Sequence, residues 1–319
     1  MKTVSSITQK CFSDLHELES GDFKWNLPFT KVSIGNFHGS INMVDVGVVQ
    51  IVEGRFSGTL LQNGFSPEGY TSFALPAIDS RSFWWHYRKV DQGNLLVFPE
   101  NRKLKCISYD GFHVYTLSIR NDFLEELLEK FGYPELRYKF RGEEKVIPLG
   151  KRYVYMLNSL LQTIYLSVQL SPEKALPKKL EDQVKYKITS IILQLLHKSE
   201  TATNVSIQRE RDRTVLRAIE FILASDLSTL SIKDISEIMG VKKRSLEYAF
   251  KEYVNVGPKA FIKALILNNF RQDLNKGGNS VSEVALRHGI THMGQLSRDY
   301  KLLFGELPSV TLKRVKKQV

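Results

Sequence analysis

Lys242, Lys243, Arg244, Glu247, Tyr248 and Lys251 fall on the side of a helical stretch that its apolar residues Leu246, Phe250 and Val254 leave outward. Such side chains suit anions. A guanidinium is a rigid fork that matches phosphate or a guanine edge, and an ammonium neutralises a phosphate. A solvated helix face would carry the same lysines. Other chemistry is sparse. His38, His86 and His113 stand alone, none with a second histidine two residues away, so a histidine-based metal cluster is not spelled out. Cys11 and Cys106 are far apart and lack a CxxC or CxxH pattern, which supports neither a disulfide nor a zinc site; both read as buried small hydrophobes. The residues point to no catalytic group, metal or cofactor.

A chain of 319 residues is long for one core and comfortable for two. Hydrophobic residues at 42% and charged residues at 25% are the balance of a soluble globular protein. No apolar run approaches the roughly 18 residues of a membrane helix, and the opening MKTVSSITQKCFSDLHELES lacks a signal-peptide core. A cytoplasmic setting without a membrane partner is expected. The formal charge is +11, and residues 207–319 hold 20 Lys and Arg against 12 Asp and Glu, so eight of the eleven surplus charges sit in the last third. That is the electrostatic footprint of a nucleic-acid-binding domain.

The last third repeats itself. In LSIKDISEIMGVKKRSLEYAFKEYVNVGP, Ser231 and Asp234 form a capping box, Ile232, Ile235 and Ile238 give a short helix its apolar side, and Gly240 breaks it. In NSVSEVALRHGITHMGQLSRDYKLLFGELPS, Val284, Ala285 and Gly289 stand where Ile235, Ser236 and Gly240 stand, 49 positions on. Past the turn, Leu296, Tyr300, Lys301, Phe304 and Pro308 answer to Leu246, Phe250, Lys251, Val254 and Pro258 at 50 positions, one residue having been inserted where it disturbs packing least. The small Ser236 and Ala285 let two helices cross closely. Asn255 and Gly305 tolerate the left-handed conformation that ends a helix. The pattern is a pair of helix-turn-helix units.

Over about its last 110 residues the chain resembles the DNA-binding domain of AraC/XylS-family transcription regulators, most closely in QLSRDYKLLFGELPS, where Ser297, Arg298, Tyr300, Lys301, Phe304, Gly305, Pro308 and Ser309 match. It departs at Ile290 and Leu296, where the family has Phe, at Asn255, where it has Gly, and at Ile266, where it has Arg in the connecting helix. The first three keep packing or capping; Ile266 leaves open how that helix is pinned. The resemblance implies that the second helix of each unit enters one of two successive major grooves of promoter DNA. The helix Pro258 to Leu274 spaces them by about 25 Å, against a DNA turn of about 34 Å. It implies DNA contacts from Lys242, Lys243, Arg244, Ser245, Tyr248 and Lys251 in the first unit and from Thr291, His292, Met293, Gln295, Arg298 and Lys301 in the second. By residue type, Arg244 and Arg298 suit guanine, Gln295 adenine, Met293 a thymine methyl, and the lysines phosphate. RNA polymerase is a further partner of such a regulator.

Leu27 to Ser118 is aromatic and β-branched, cut by Gly and Pro into short runs such as VGVVQIVEG, TSFALPAI, SFWWHYRKV, NLLVFPE and FHVYTLSI, which predicts a sandwich or barrel. It resembles the cupin-like domains that precede this DNA-binding module. NDFLEELLEKFG predicts a helix with Asn121 as cap and Gly132 as stop, and two further helices are expected between Lys151 and Leu196. The expected fold is α+β: a cupin-like regulatory domain over 1–148, a helical segment over 149–200, a linker at Ser199 to Gln208, and an all-α DNA-binding domain over 209–319. Trp84, Trp85 and His86 are candidates for an effector pocket, although ordinary barrel core explains them as well; in a strand only one of the two tryptophans points inward. The helices between Lys151 and Leu196 are candidates for a homodimer contact, probed at Leu160 and Leu193, with burial inside the monomer as the alternative. A metal-dependent cupin enzyme with a nucleic-acid-binding appendage is the rival reading of the whole.

Overall fold

The computed structural model describes residues 6–15, 17, 24–25, 27–86, 88–140, 142, 145–169, 176–198, 210–277 and 280–316. Among them, two antiparallel sheets face each other. The larger holds β1 (Ser6–Phe12), β3 (Gly39–Asp45), β4 (Val49–Phe56), β6 (Tyr70–Pro76), β9 (Asn94–Phe98), β11 (Phe112–Arg120) and β12 (Lys145–Pro148), in the order β1-β3-β4-β11-β6-β9-β12. The smaller holds β2 (Phe29–Lys31), β5 (Leu60–Phe65), β7 (Phe83–Trp85), β8 (Arg88–Val90) and β10 (Lys103–Ser108), in the order β2-β5-β10-β7-β8. The larger sheet is buried on both faces, and β4 shows how the two-residue period serves both: Val49 and Ile51 join the core under the helices, while Val52 and Phe56 face the other sheet. A turn at Asp91 to Gly93 leads into β9, the Gly93 amide donating to Asp91 Oδ1 at 2.9 Å.

Helix α1 (Asn121–Phe131) ends at Gly132 with φ 75°, as its sequence requires. Asn121 is not its cap: Arg120 holds that position, and Asn121 Oδ1 instead accepts from Thr71 Oγ1 at 2.9 Å. The next helices are α2 (Lys151–Gln169), α3 (Lys178–Asp182) and α4 (Thr189–Lys198), with a π-helical turn at Gln183–Ile188 between the last two. They cover the outer face of the larger sheet, with Leu157, Leu161, Ile188 and Leu193 packed in one core with Ile51, Phe73 and Leu117. Leu193 is fully buried and Leu160 half-buried, so the apolar face of α4 packs inside the protomer. Cys106 is buried, but Cys11 is exposed because it lies on the edge strand β1. The linker expected at Ser199 to Gln208 lies outside the described residues.

One buried cluster ties strands β4 and β11 to the loop after β6. His113, 3% exposed, places Nε2 2.9 Å from Glu53 Oε1 and Nδ1 2.5 Å from Asp79 Oδ1. Glu53 also accepts from Asn42 at 2.6 Å and from Arg55 at 3.1 Å. Burial alone would raise the Glu53 carboxyl, but the hydrogen bonds from His113 and Asn42 and the charge of Arg55 outweigh it and hold it down at about 2. A carboxyl lowered on folding stabilises the fold fully above its ordinary value near 4.5, and that contribution is lost as pH falls from there through about 2. Wild-type stability in denaturant titrations is therefore expected to fall faster below about pH 4.5 than that of Glu53→Gln, which starts lower at neutral pH. Parallel curves for the two proteins would show that Glu53 titrates no differently in the folded and unfolded chains.

The carboxy-terminal domain comprises α5 (Glu210–Ala224), α6 (Ile232–Ile238), α7 (Lys243–Val254), α8 (Pro258–Asn275), α9 (Val281–Arg287), α10 (Met293–Phe304) and α11 (Pro308–Lys316). The capping box at Ser231 and Asp234 forms reciprocally. Gly240 and Gly289 turn left-handed at φ 66° and 67°, and Asn255 and Gly305 close α7 and α10 at φ 61° and 79°. Ile235, Leu246, Phe250, Val284, Leu296 and Tyr300 are buried together. α8 is apolar on most of its circumference because it packs against both units and against the smaller sheet.

Candidate functional site

The two helix-turn-helix units close with equivalent bonds. Val241 donates to Ser236 O at 3.0 Å in the first, and Ile290 to Ala285 O at 2.9 Å in the second. Each turn leads into a helix with one buried side. On α7, Leu246, Ala249, Phe250, Tyr253 and Val254 are buried, which leaves Lys243, Arg244, Ser245, Tyr248 and Lys251 exposed, with Lys242 at the N-cap. On α10, Leu296, Tyr300 and Leu303 are buried, which leaves Gln295, Arg298 and Lys301 exposed, with Thr291 and His292 exposed just before the helix. Met293 differs, being half-buried against the domain core.

Charge pairing separates these faces from an ordinary solvated surface. Lys233, Lys263, Arg271, Lys276, Arg287 and Arg314 each meet a carboxylate. Among the described residues, no ion pair involves Lys242, Lys243, Arg244, Lys251, Arg298 or Lys301. Arg213, Arg217, Lys259 and Lys313 share that state. Six uncompensated cations on two repeated helix faces form a surface ready for polyanion.

The barrel grips the far ends of the same two helices. Tyr109 of the barrel donates its hydroxyl to Tyr253 O in the last turn of α7, and Trp84 stacks on the Tyr253 ring at 4.2 Å between centroids. At α10, the Gly35 amide donates to Leu302 O at 2.9 Å and the Lys31 ammonium to Leu303 O at 2.5 Å. Both contacts satisfy carbonyls that a helix C-terminus leaves open. Lys31 is 2% exposed and also donates to Ser33 O and Gly35 O; burial, with the neighbouring Arg271 charge, pushes it down to about 8. The Asn268 side chain bonds both backbone groups of Lys31, completing the free edge of β2 as a neighbouring strand would. Arg271 of α8 reaches Asp14, Glu306 Oε1 at 2.8 Å and the Tyr300 hydroxyl at 2.8 Å, while Arg314 also meets Asp14 at 2.7 Å. Gly305 lies so near the barrel that a Cβ there would stand 2.5 Å from Asn36 Oδ1. Sequence reasoning missed Asp14, Lys31, Asn268 and Arg271, whose partners lie more than 200 residues away.

Between the sheets lies a cavity of about 720 Å³ with walls of Phe29, Phe56, Phe83, Trp85, Leu96 and Phe112. Lys24 and Lys276 stand at its polar rim, each already beside a carboxylate, Asp45 at 3.4 Å and Asp273 at 3.0 Å. Trp85 lines it; Trp84 faces the other way, onto the carboxy-terminal domain. His86 does not line it: it sits at φ 48° in the bend after β7, with its ring edge-on to Trp85. Among the described residues, no group of three or more His, Cys, Asp and Glu side chains is placed to hold a metal ion, and no helix is long and apolar enough to cross a membrane.

Residues 235–314 match the family model described as a helix-turn-helix domain. Over 106 residues the chain is 33% identical to the XylDLEGF operon transcriptional activator of Pseudomonas putida, covering 32% of this chain and 33% of that protein. Over 101 residues it is 29% identical to the probable thc operon regulatory protein of Rhodococcus erythropolis, covering 31% of this chain and 30% of that protein. The solved structure of a probable AraC family transcriptional regulator from Rhodopseudomonas palustris CGA009 is 30% identical, with 32% of this chain and 97% of that chain covered and a TM-score of 0.31. The chain thus matches about a third of the length of these curated relatives. Its carboxy-terminal domain is a helix-turn-helix domain similar to that of these regulators.

Proposed function

We propose that the chain is a sequence-specific transcription regulator that acts in the cytoplasm on double-stranded promoter DNA, with RNA polymerase as a further partner. α7 and α10 read successive major grooves on one face of the duplex. The observation that carries this reading is the repeated exposed face whose cations have no ion-pair partner among the described residues, whereas Lys263, Arg271, Arg287 and Arg314 of the same domain do. Footprinting on sites recovered from a random duplex pool is the test: two protected major-groove segments about one turn apart are expected. A single protected segment, or no protection at moderate salt, overturns the reading.

The cavity extends the proposal to regulation. About 720 Å³ falls within the ~300–1,000 Å³ usual for small-ligand sites, and an aromatic wall with two lysines at the rim suits an apolar body ending in a polar or anionic group. α8 gives Gln272, Asn275 and Lys276 to the cavity and Asn268 and Arg271 to the grip on the barrel, so an occupant bears on how the reading heads are held. A rise in melting temperature with small aromatic or aliphatic carboxylates, absent in Ala74→Phe, supports an effector; a flat response across such a panel counts against it. A second copy of the chain is assigned to the outer face of α2, where Tyr155, Met156 and Leu166 are exposed. Sedimentation of wild type and Leu166→Glu decides this, because a monomer in both cases removes the dimer.

A further inference from the structure

A recess of about 580 Å³ lies between α7 and α10, with Val32 and Ile34 of the barrel also on its wall. α7 turns toward it the flank that carries Lys243, Glu247 and Lys251, spaced four apart beside the outward Arg244 and Tyr248. α10 turns toward it the opposite flank, with Asp299 and Leu302 on either side of the outward Lys301 and next to the recognition position Arg298. The flanks of α7 and α10 that meet in this recess lie next to their exposed faces. The first turns of α8 form its floor, with Lys259 and Lys263 beside the small Ala260 and Ala264. Four lysines thus stand against two carboxylates. Lys263 is paired with Asp299 at 2.9 Å, whereas Lys243, Lys251 and Lys259 take part in no ion pair among the described residues.

We propose that this recess seats the sugar-phosphate backbone of the bound duplex between its two read major grooves, with Lys259 as the central phosphate contact and Lys243 and Lys251 beside it. The inference rests on the DNA reading above. When two helices occupy successive major grooves on one face, the stretch that faces the protein between them is a minor groove bordered by phosphates. Alanines on the floor leave room for a backbone to approach, and the surplus of ammonium groups meets its charge. Contacts of this kind position the duplex and carry no base information.

The experiment uses the full chain and a labelled random-sequence duplex of about 30 base pairs, long enough for two major-groove segments. Affinity is titrated between about 50 and 200 mM salt for wild type, Lys259→Gln and Lys259→Gln/Lys263→Gln, with circular dichroism confirming the fold. The logarithmic salt slope is expected to drop by about one unit for Lys259→Gln, with the same proportional loss on a selected site as on random duplex. An unchanged slope with a binding-competent wild type overturns the backbone seat and leaves the two-head reading intact. A wild type that binds no duplex overturns both. Tripolyphosphate without DNA is the second arm: a melting shift that Lys259→Gln abolishes would make the recess a site for small phosphorylated ligands and overturn the proposal.

Discussion

Arg271→Ala is expected to lower the stability of the docked chain by about 3–5 kcal/mol, the usual result of removing one member of a buried ion cluster. The guanidinium is 8% exposed, and so is Asp14, one of its two carboxylate partners. It bonds the Tyr300 hydroxyl, which in turn meets Thr311 at 2.7 Å, and it lies 4.5 Å over the Phe304 ring. Alanine would strip Asp14 and Glu306 each of one of the two arginines that meet them, leaving Arg314, whose side chain is 40% exposed. The loss therefore comes mainly from buried negative charge left short of partners. Trp84 supplies the readout, since it stacks on Tyr253 across the same domain contact and its fluorescence changes when the barrel separates. In urea, Arg271→Ala should release the Trp84 signal at a clearly lower midpoint. Arg271→Met/Asp14→Leu should recover much of the loss, because apolar replacement of a whole buried pair is often near neutral. A single variant within about 1 kcal/mol of wild type would show that the cluster does not hold the domains together.

That cluster also marks where sequence reading stops. Gly240, Asn255, Gly289 and Gly305 were legible as helix ends because a left-handed residue after an apolar run is a local requirement, and the structure places all four at positive φ. Ile235, Leu246, Phe250 and their counterparts 49 or 50 positions on were legible because periodicity is local too. Arg271 was not, since nothing near it in sequence announces that Asp14, 257 residues back, is its partner. It resolves what Ile266 left open: Ile266 packs into the core, and α8 is pinned five residues later through Arg271. β2 has three residues and no alternation to read, yet it carries Lys31 into the domain contact. Asn121 was misread as a cap, and Leu193 was left between a dimer contact and burial, because local pattern does not say whether a polar side chain has a better tertiary partner or whether an apolar face is used inside the protomer.

The largest expected effect on function is that of Arg244→Ala/Arg298→Ala. Each arginine stands on the exposed face of a different recognition helix, and among the described residues neither is held by a carboxylate, so each can form a bidentate pair with a base edge. A lost pair of this kind weakens binding to a selected site by about 1–3 kcal/mol, roughly 5- to 150-fold. On the proposed reading the two heads occupy separate grooves about a DNA turn apart, so the losses should add to within about 0.5 kcal/mol. Specificity distinguishes this from simple loss of charge. If Arg298 reads a base, Arg298→Ala relaxes the preference at one position of the second half-site, Arg244→Ala at one position of the first, and binding to random duplex falls far less than binding to the selected site. Arg298→Lys should not restore the preference, because an ammonium cannot reproduce the two parallel hydrogen bonds of a guanidinium. Equal weakening on selected and random duplexes, with rescue by lysine, would instead place both arginines on phosphate, and base recognition would then pass to Gln295, Tyr248 and their neighbours on the same exposed faces.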